Sequence, residues 1–428
     1  MASPSSPSSP GPGPTRPVRP GRRRIGPALA LLGAVALLAA ACSSGTSASS
    51  TTAVPATTTT APVTPASTGG RPPIRHVFVI VLENEGYAST FGSPAAYPYL
   101  ATTLTAEGAT LTHYYGIGHF SNDNYIALVS GQAPNPANQA DCQVFADFPA
   151  GTTTLPSGQI NGSGCVFPTS VPTVADQLDA AHLTWKAYME GMGNVPSREA
   201  AVCGHPAVGS VDTTQRAVTG DGYATRHDPF VYFHTIIDDT ALCDARVVPL
   251  GTPSGALPST VPAGTTGLAT DLASVATTPN LSFITPDLCS DGHDFPCVNR
   301  TGAGSAGANV DAFLSTWVPL ITHSPAFTKD GLLIVTFDEA DVSGPGADAS
   351  ACCNEQPGPA SARPGVSGPG GGRTGTVLLS PFIAGGTVSN VPYNHYSTLA
   401  TIESLFGLAK LGQAATTSAT FGSDVFRG

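Results

Sequence analysis

The run His76-Val77-Phe78-Val79-Ile80-Val81-Leu82 is apolar almost without interruption, rich in β-branched side chains, and stops abruptly at Glu83-Asn84. A strand with one wet face alternates polar and apolar residues. A continuous run instead marks a strand buried on both faces, the interior position of a parallel sheet. Similar runs recur at Leu183 to Tyr188, Asn280 to Thr285, Leu332 to Phe337 and Thr376 to Leu379. Helical periodicity over Tyr97 to Glu107, Asn122 to Val129, Val174 to Ala181 and Val310 to Ile321 falls between them. Strands separated by helices imply βαβ units, so the expected fold is α/β with a mostly parallel sheet.

The chain before the first strand is of another kind. Arg16, Arg19, Arg22, Arg23 and Arg24 precede an apolar run from Ile25 to Ala41, which reads as an export signal over residues 1–41. Cys42 after three alanines resembles a bacterial lipoprotein processing site, with an ordinary cleaved signal as the alternative. Arg22-Arg23 also permits twin-Arg export. Residues 42–70 are almost wholly Ser, Thr, Ala, Pro, Val and Gly, too poor in large apolar groups to offset the entropy of ordering. They read as a tether that would hold residues 71–428, one large domain, off a membrane carrying an N-terminal lipid anchor. A net charge of −11 argues against non-specific nucleic-acid binding.

Eight cysteines follow Cys42, and an even count in an exported chain implies disulfides. Proximity favours Cys142 with Cys165, Cys203 with Cys243 and Cys289 with Cys297. The adjacent Cys352-Cys353 has no evident partner. No CxxC pair is present, which disfavours thiolate-bound zinc.

Chemistry gathers where the strand runs end, as ligand sites at the carboxyl edge of an α/β sheet require. The first run ends in Glu83 and Asn84. The stretch after Thr285 carries Asp287, Asp291, His293 and Asp294, and that after Phe337 carries Asp338, Glu339 and Asp341. Each alone reads as a capped strand end; their recurrence at three ends favours a divalent cation or a phosphoryl-transfer site. A hydroxyl nucleophile is offered by Ser121 in Gly118-His119-Phe120-Ser121-Asn122-Asp123-Asn124-Tyr125, where it can start a helix in the positive field of the N-terminus. The plain alternative is an N-cap serine. Thr110, Thr112 and Ser130 are competing hydroxyls nearby.

In order along the chain, the Val81-Leu82-Glu83-Asn84 strand end, Ser121 to Tyr125, Trp185 to Glu190, Arg226 to Phe233, Phe283 to Asp287 with Asp291 to Asp294, and Thr336 to Glu339 resemble the bacterial phosphoesterase family of secreted acid phosphatases and phospholipases C. That family is a branch of the alkaline phosphatase superfamily. Gly371 to Gly375, Tyr393 to Ser397 and Ile402 to Leu408 complete the series. The resemblance implies an alkaline-phosphatase-like three-layer core with helices on both faces of the sheet. It implies hydrolysis of phosphate esters through a phosphoserine, on a phosphoinositide or other phospholipid, with a phospholipase C-type phosphodiesterase or a non-catalytic surface lipoprotein as alternatives. By the same resemblance Glu83, Asn84, Asp338 and Glu339 hold a divalent cation (Mg, Ca, Mn or Zn) and Ser121 is the nucleophile. His293 and His395, with Asp291, contact phosphate oxygens or protonate the leaving group, while His119, Asn124 and Asp294 bind substrate. Asp341 is an alternative to Asp338 or Glu339. The family commonly continues Glu-Asn with Arg/His-Ser; this sequence departs from it with Glu85-Gly86-Tyr87.

Overall fold

The computed structural model describes residues 72–300, 304–344, 346–417 and 419–427. The expected export signal, Cys42 and tether lie outside the described residues.

Eight strands make the central sheet: β1 His76–Leu82, β2 Ala109–Leu111, β3 Trp185–Met189, β4 Val247–Pro249, β5 Leu281–Thr285, β6 Gly331–Phe337, β7 Thr376–Leu379 and β8 Thr387–Ser389. Their spatial order is β8-β2-β7-β6-β1-β5-β3-β4. Only β7 runs against its neighbours β6 and β2. The interior position expected of His76 to Leu82 is the one β1 occupies. It pairs in parallel with β6 and β5, and every one of its residues is buried.

Alternation along β1 divides the core in two. Val77, Val79 and Val81 pack on one side with residues of the helices α1 Ser121–Ser130, α2 Val174–Ala180 and α4 His395–Phe406. Phe78, Ile80 and Leu82 pack on the other with Val310, Phe313, Leu314, Trp317, Val318 and Ile321 of α3, Ala306–Thr322. Those six positions follow the 3.6-residue period, so α3 lays one apolar stripe on the sheet. Each such side chain taken from water contributes about 1.5–3 kcal/mol, and an acid at Val79 would break this packing on the β1 face. The result is a three-layer α/β core.

Register sets the level of the site. Leu82 pairs with Phe337, and Ile80 with Ile284, so the residues following β1, β5 and β6 emerge side by side at one edge. The three-residue strands β2, β4 and β8 were not expected, because three residues carry no readable period. The expected pairings Cys142–Cys165, Cys203–Cys243 and Cys289–Cys297 are the ones formed, and Cys352 bonds its neighbour Cys353.

Candidate active site at the carboxyl edge of the sheet

Glu83 leaves the end of β1 with its backbone N–H donating to the Asp291 carbonyl at 3.0 Å, and Asp338 leaves β6 donating to the Leu82 carbonyl at 2.8 Å. The loops after β5 and β6 are therefore laced to β1. Asn84 takes the left-handed conformation with φ of 58°, which an asparagine tolerates, and its N–H donates to Asp338 Oδ1 at 2.9 Å.

Ser121 is the first residue of α1, with Phe120 at the N-cap position and no side-chain cap. The serine hydroxyl is therefore not spent on capping, contrary to the plain alternative. It donates to Glu83 Oε2 at 2.7 Å. Ser130 sits at the other end of the helix bonded to the Ile126 carbonyl, and Thr112 is bonded to Asn390 beside β8. Thr110 lies within β2, and none of the three rival hydroxyls heads a helix as Ser121 does.

Around Glu83 the structure gathers His227 and Asp291, each offering an atom within 4.8 Å of the others. His227 Nε2 lies 3.4 Å from Glu83 Oε2 and His227 Nδ1 3.3 Å from Asp291 Oδ2. All three are buried, and Glu83 Oε1, Asp291 Oδ2 and both nitrogens of His227 have no hydrogen-bond partner. Buried polar groups are ordinarily paired, so unpartnered atoms on three residues that can each bring one ligand atom within 4.8 Å of the others fit a bound cation. The electrostatics agree. Burial, then the charge of Asp338, pushes the Glu83 carboxyl well above its usual range; burial and Glu83 do the same to Asp291, and burial lifts Asp338 to about 7. Burial, with Arg226 beside it, depresses His227 well below its usual value, leaving a neutral imidazole suited to ligation. Tyr125 stacks on that imidazole at 5.2 Å between centroids and fixes its plane.

The expected residues divide on this geometry. Of the expected cation ligands, Glu83 belongs to the triad and Asn84 and Asp338 adjoin it. Glu339 instead accepts from Asn124 Nδ2 at 3.2 Å and lies 3.8 Å from His119 Nδ1. His119 also bonds the Asp348 carbonyl. The Asn124 amide is fully used: Oδ1 accepts from the Ile117 and Gly118 N–H groups, and Nδ2 donates to Gly118 and Phe120 carbonyls as well. It organises the loop that presents Ser121. Gly118 belongs to that loop because a Cβ there would collide with the Asp123 carboxylate. Asp341 accepts from Gly86 N–H and Ser89, bracing the departure at Glu85-Gly86-Tyr87, and does not replace Asp338.

Both ring nitrogens of His395 are engaged, Nε2 with the Asp338 carbonyl at 2.6 Å and Nδ1 with Tyr114 at 3.0 Å, and burial lowers it to about 4. Neither ring nitrogen of His395 is thus free for the phosphate contact or leaving-group protonation expected of it, and in this structure the residue holds the Asp338 strand end. His293 does face the site, its ring 5.9 Å from that of His227. Its Nδ1 bonds Asp294 at 2.8 Å and its Nε2 accepts from Arg226 Nη2 at 3.0 Å, since a guanidinium only donates. Burial tends to raise Asp294, but the hydrogen bond and charge of His293 outweigh it and hold the carboxyl low.

His227 and Arg226 are the functional candidates that residue patterns missed. They lie in the short 3-10 helix Thr225–His227, away from any strand end. The signal was the polar trio Arg226-His227-Asp228 set against apolar Pro229 to Phe233.

The phosphoesterase family model matches residues 93–409, and the chain belongs to the phosphoesterase family. It is 27% identical over 337 residues to the phosphate-repressible acid phosphatase of Penicillium chrysogenum, covering 78% of this chain and 59% of that one. It is 26% identical over 343 residues to the phosphatidylinositol-3-phosphatase of Mycobacterium tuberculosis, covering 80% of each. Among solved structures, a protein in the alkaline phosphatase superfamily from Vibrio parahaemolyticus aligns with a TM-score of 0.44 and 14% identity, covering 80% of this chain and 69% of that one.

Proposed function

We propose that the chain is an exported phosphoric-ester hydrolase, a metal-assisted phosphomonoesterase of the acid phosphatase type that works through a phosphoserine at Ser121. The observation that carries this reading is the Ser121 hydroxyl 2.7 Å from Glu83 Oε2, at the edge of a buried triad in which Glu83 Oε1, Asp291 Oδ2 and both nitrogens of His227 lack hydrogen-bond partners. Glu83, His227 and Asp291 would hold the cation, with Asp338 adjacent. When bound, a divalent cation supplies charge neutralisation for a phosphoryl oxygen and lowers the serine hydroxyl pKa. The chain's own part is positioning. Glu83 orients Ser121 for in-line attack, the alcohol departs, and water hydrolyses the phosphoserine. Arg226, whose buried Nε has no partner, would turn to the phosphate oxygens. That turn would free His293 Nε2 for the leaving group, with Asp294 holding Nδ1.

The substrate class in this reading is a phosphoinositide or other phospholipid, supported by the Mycobacterium relative. Export, lipidation at Cys42 and the division into signal, tether and a domain over residues 71–428 belong to the same proposal. The test is hydrolysis of p-nitrophenyl phosphate against its bis-ester and p-nitrophenylphosphorylcholine, with and without chelator. Monoester turnover lost with EDTA is expected. Preference for a diester would replace the phosphatase reading by the phospholipase C one, and no turnover with any added cation would leave a ligand-binding lipoprotein.

A further inference from the structure

Next to His293 and Asp294 the protein exposes apolar surface. Phe295 is 47% exposed, Val298 52% and Val218 39%, and they lie on two turns bound to each other. Asn299 Nδ2 donates to the Val218 carbonyl at 2.9 Å, and the Gly220 N–H donates to Asn299 Oδ1 at 2.7 Å. The Cys289–Cys297 disulfide pins the base of the second turn. These side chains are held out by a braced scaffold.

Charge departs locally from that of the whole. None of residues 216–220 and 295–299 is acidic, and Arg216 is exposed among them, in a chain of net charge −11. The nearest acids are engaged within the protein, Asp294 accepting from His293 Nδ1 and Asp221 paired with Arg198. An apolar prominence with a cation and no exposed acid complements an anionic bilayer, where apolar side chains enter the headgroup boundary and basic ones stay at its surface.

We propose that the turns carrying Val218, Phe295 and Val298 dock on an anionic lipid surface and set the mouth of the site against it. The choice of a phospholipid as substrate rests on the function proposed above; the docking itself does not. A lipid whose phosphate reaches Ser121 keeps its acyl chains in the bilayer, so an apolar rim beside His293 lets the phosphate enter without the chains crossing water.

The test uses the full chain carrying Cys42→Ser, so that no acyl anchor contributes, and compares its sedimentation with phosphatidylcholine–phosphatidylserine vesicles to that of a Val218→Asp/Val298→Asp variant. Burial of an aliphatic side chain converts to about tenfold in partition, so the double variant is expected to lose at least tenfold. Val388→Asp on β8, replacing a valine more exposed than either Val218 or Val298 at the far edge of the sheet, is expected to sediment like the parent. A parent that stays in solution, a double variant that sediments like the parent, or an equal loss from Val388→Asp would overturn the proposal. Turnover of soluble p-nitrophenyl phosphate checks the fold of each variant; where it falls, Phe295→Ser takes the double variant's place. Absence of that turnover in the parent counts against the phosphatase reading alone, since sedimentation needs no catalysis.

Discussion

Replacing Ser121 by alanine removes one oxygen atom and separates a structural serine from a nucleophile by the size of two effects. That oxygen donates to Glu83 Oε2 at 2.7 Å and caps no helix N–H. The stability at stake is one buried hydrogen bond and an acceptor left without its donor, about 1–3 kcal/mol. Against a total of about 5–15 kcal/mol the domain stays folded, with a melting temperature lower by a few degrees. As nucleophile, its loss should lower kcat about a thousand- to a millionfold, equivalent to about 4–8 kcal/mol in the barrier. The assay is kcat and KM for p-nitrophenyl phosphate beside a thermal melt of the same sample. A kcat within tenfold of the parent, with an intact melt, would refute the assignment.

His227→Ala should weaken cation binding at least about tenfold, read by titration calorimetry, and chelator should abolish turnover that added cation restores. A buried acid whose native pKa lies above its unfolded value stabilises the fold below that unfolded value and loses the contribution as pH rises through the native one. Burial lifts Glu355 and Glu403 to about 8, and burial with the Asp287 charge lifts Glu190 to about 7, all from 4.5. The melting temperature should therefore fall between pH 5 and pH 8, and Glu403→Gln should flatten that decline. Joint replacement of Cys142 and Cys165 by serine opens a link between residues 23 apart and should cost about 3 kcal/mol in a denaturant melt.

The sheet interior was legible because β1, β5 and β6 are long and apolar enough to fix their own placement. Glu83, Asp291 and Asp338 were legible as strand-end residues for the same reason. Three-residue β4 was not, since as an edge strand it is chosen by pairing with β3 rather than by its own pattern. His227 escaped because its place depends on the chain folding back through an irregular segment to β5, where Thr285 Oγ1 donates to its carbonyl at 3.1 Å. His395 misled for a related reason. A histidine heading a helix looks available in sequence, and only packing reveals that Tyr114 and the Asp338 carbonyl already occupy it.

Glu83 stands between partners brought by β5 and β6, and β1 pairs Val77 with both Leu281 and Leu332. These contacts span most of the domain, and contacts of high sequence separation form late because loop closure precedes any reward. The cation pocket is consequently a product of the final assembly of the sheet. A nascent or truncated chain lacking β6 would hold Ser121, Glu83, His227 and Asp291 but neither Asp338 nor the strand that flanks β1, so catalytic competence should appear in one step, together with the last long-range pairing.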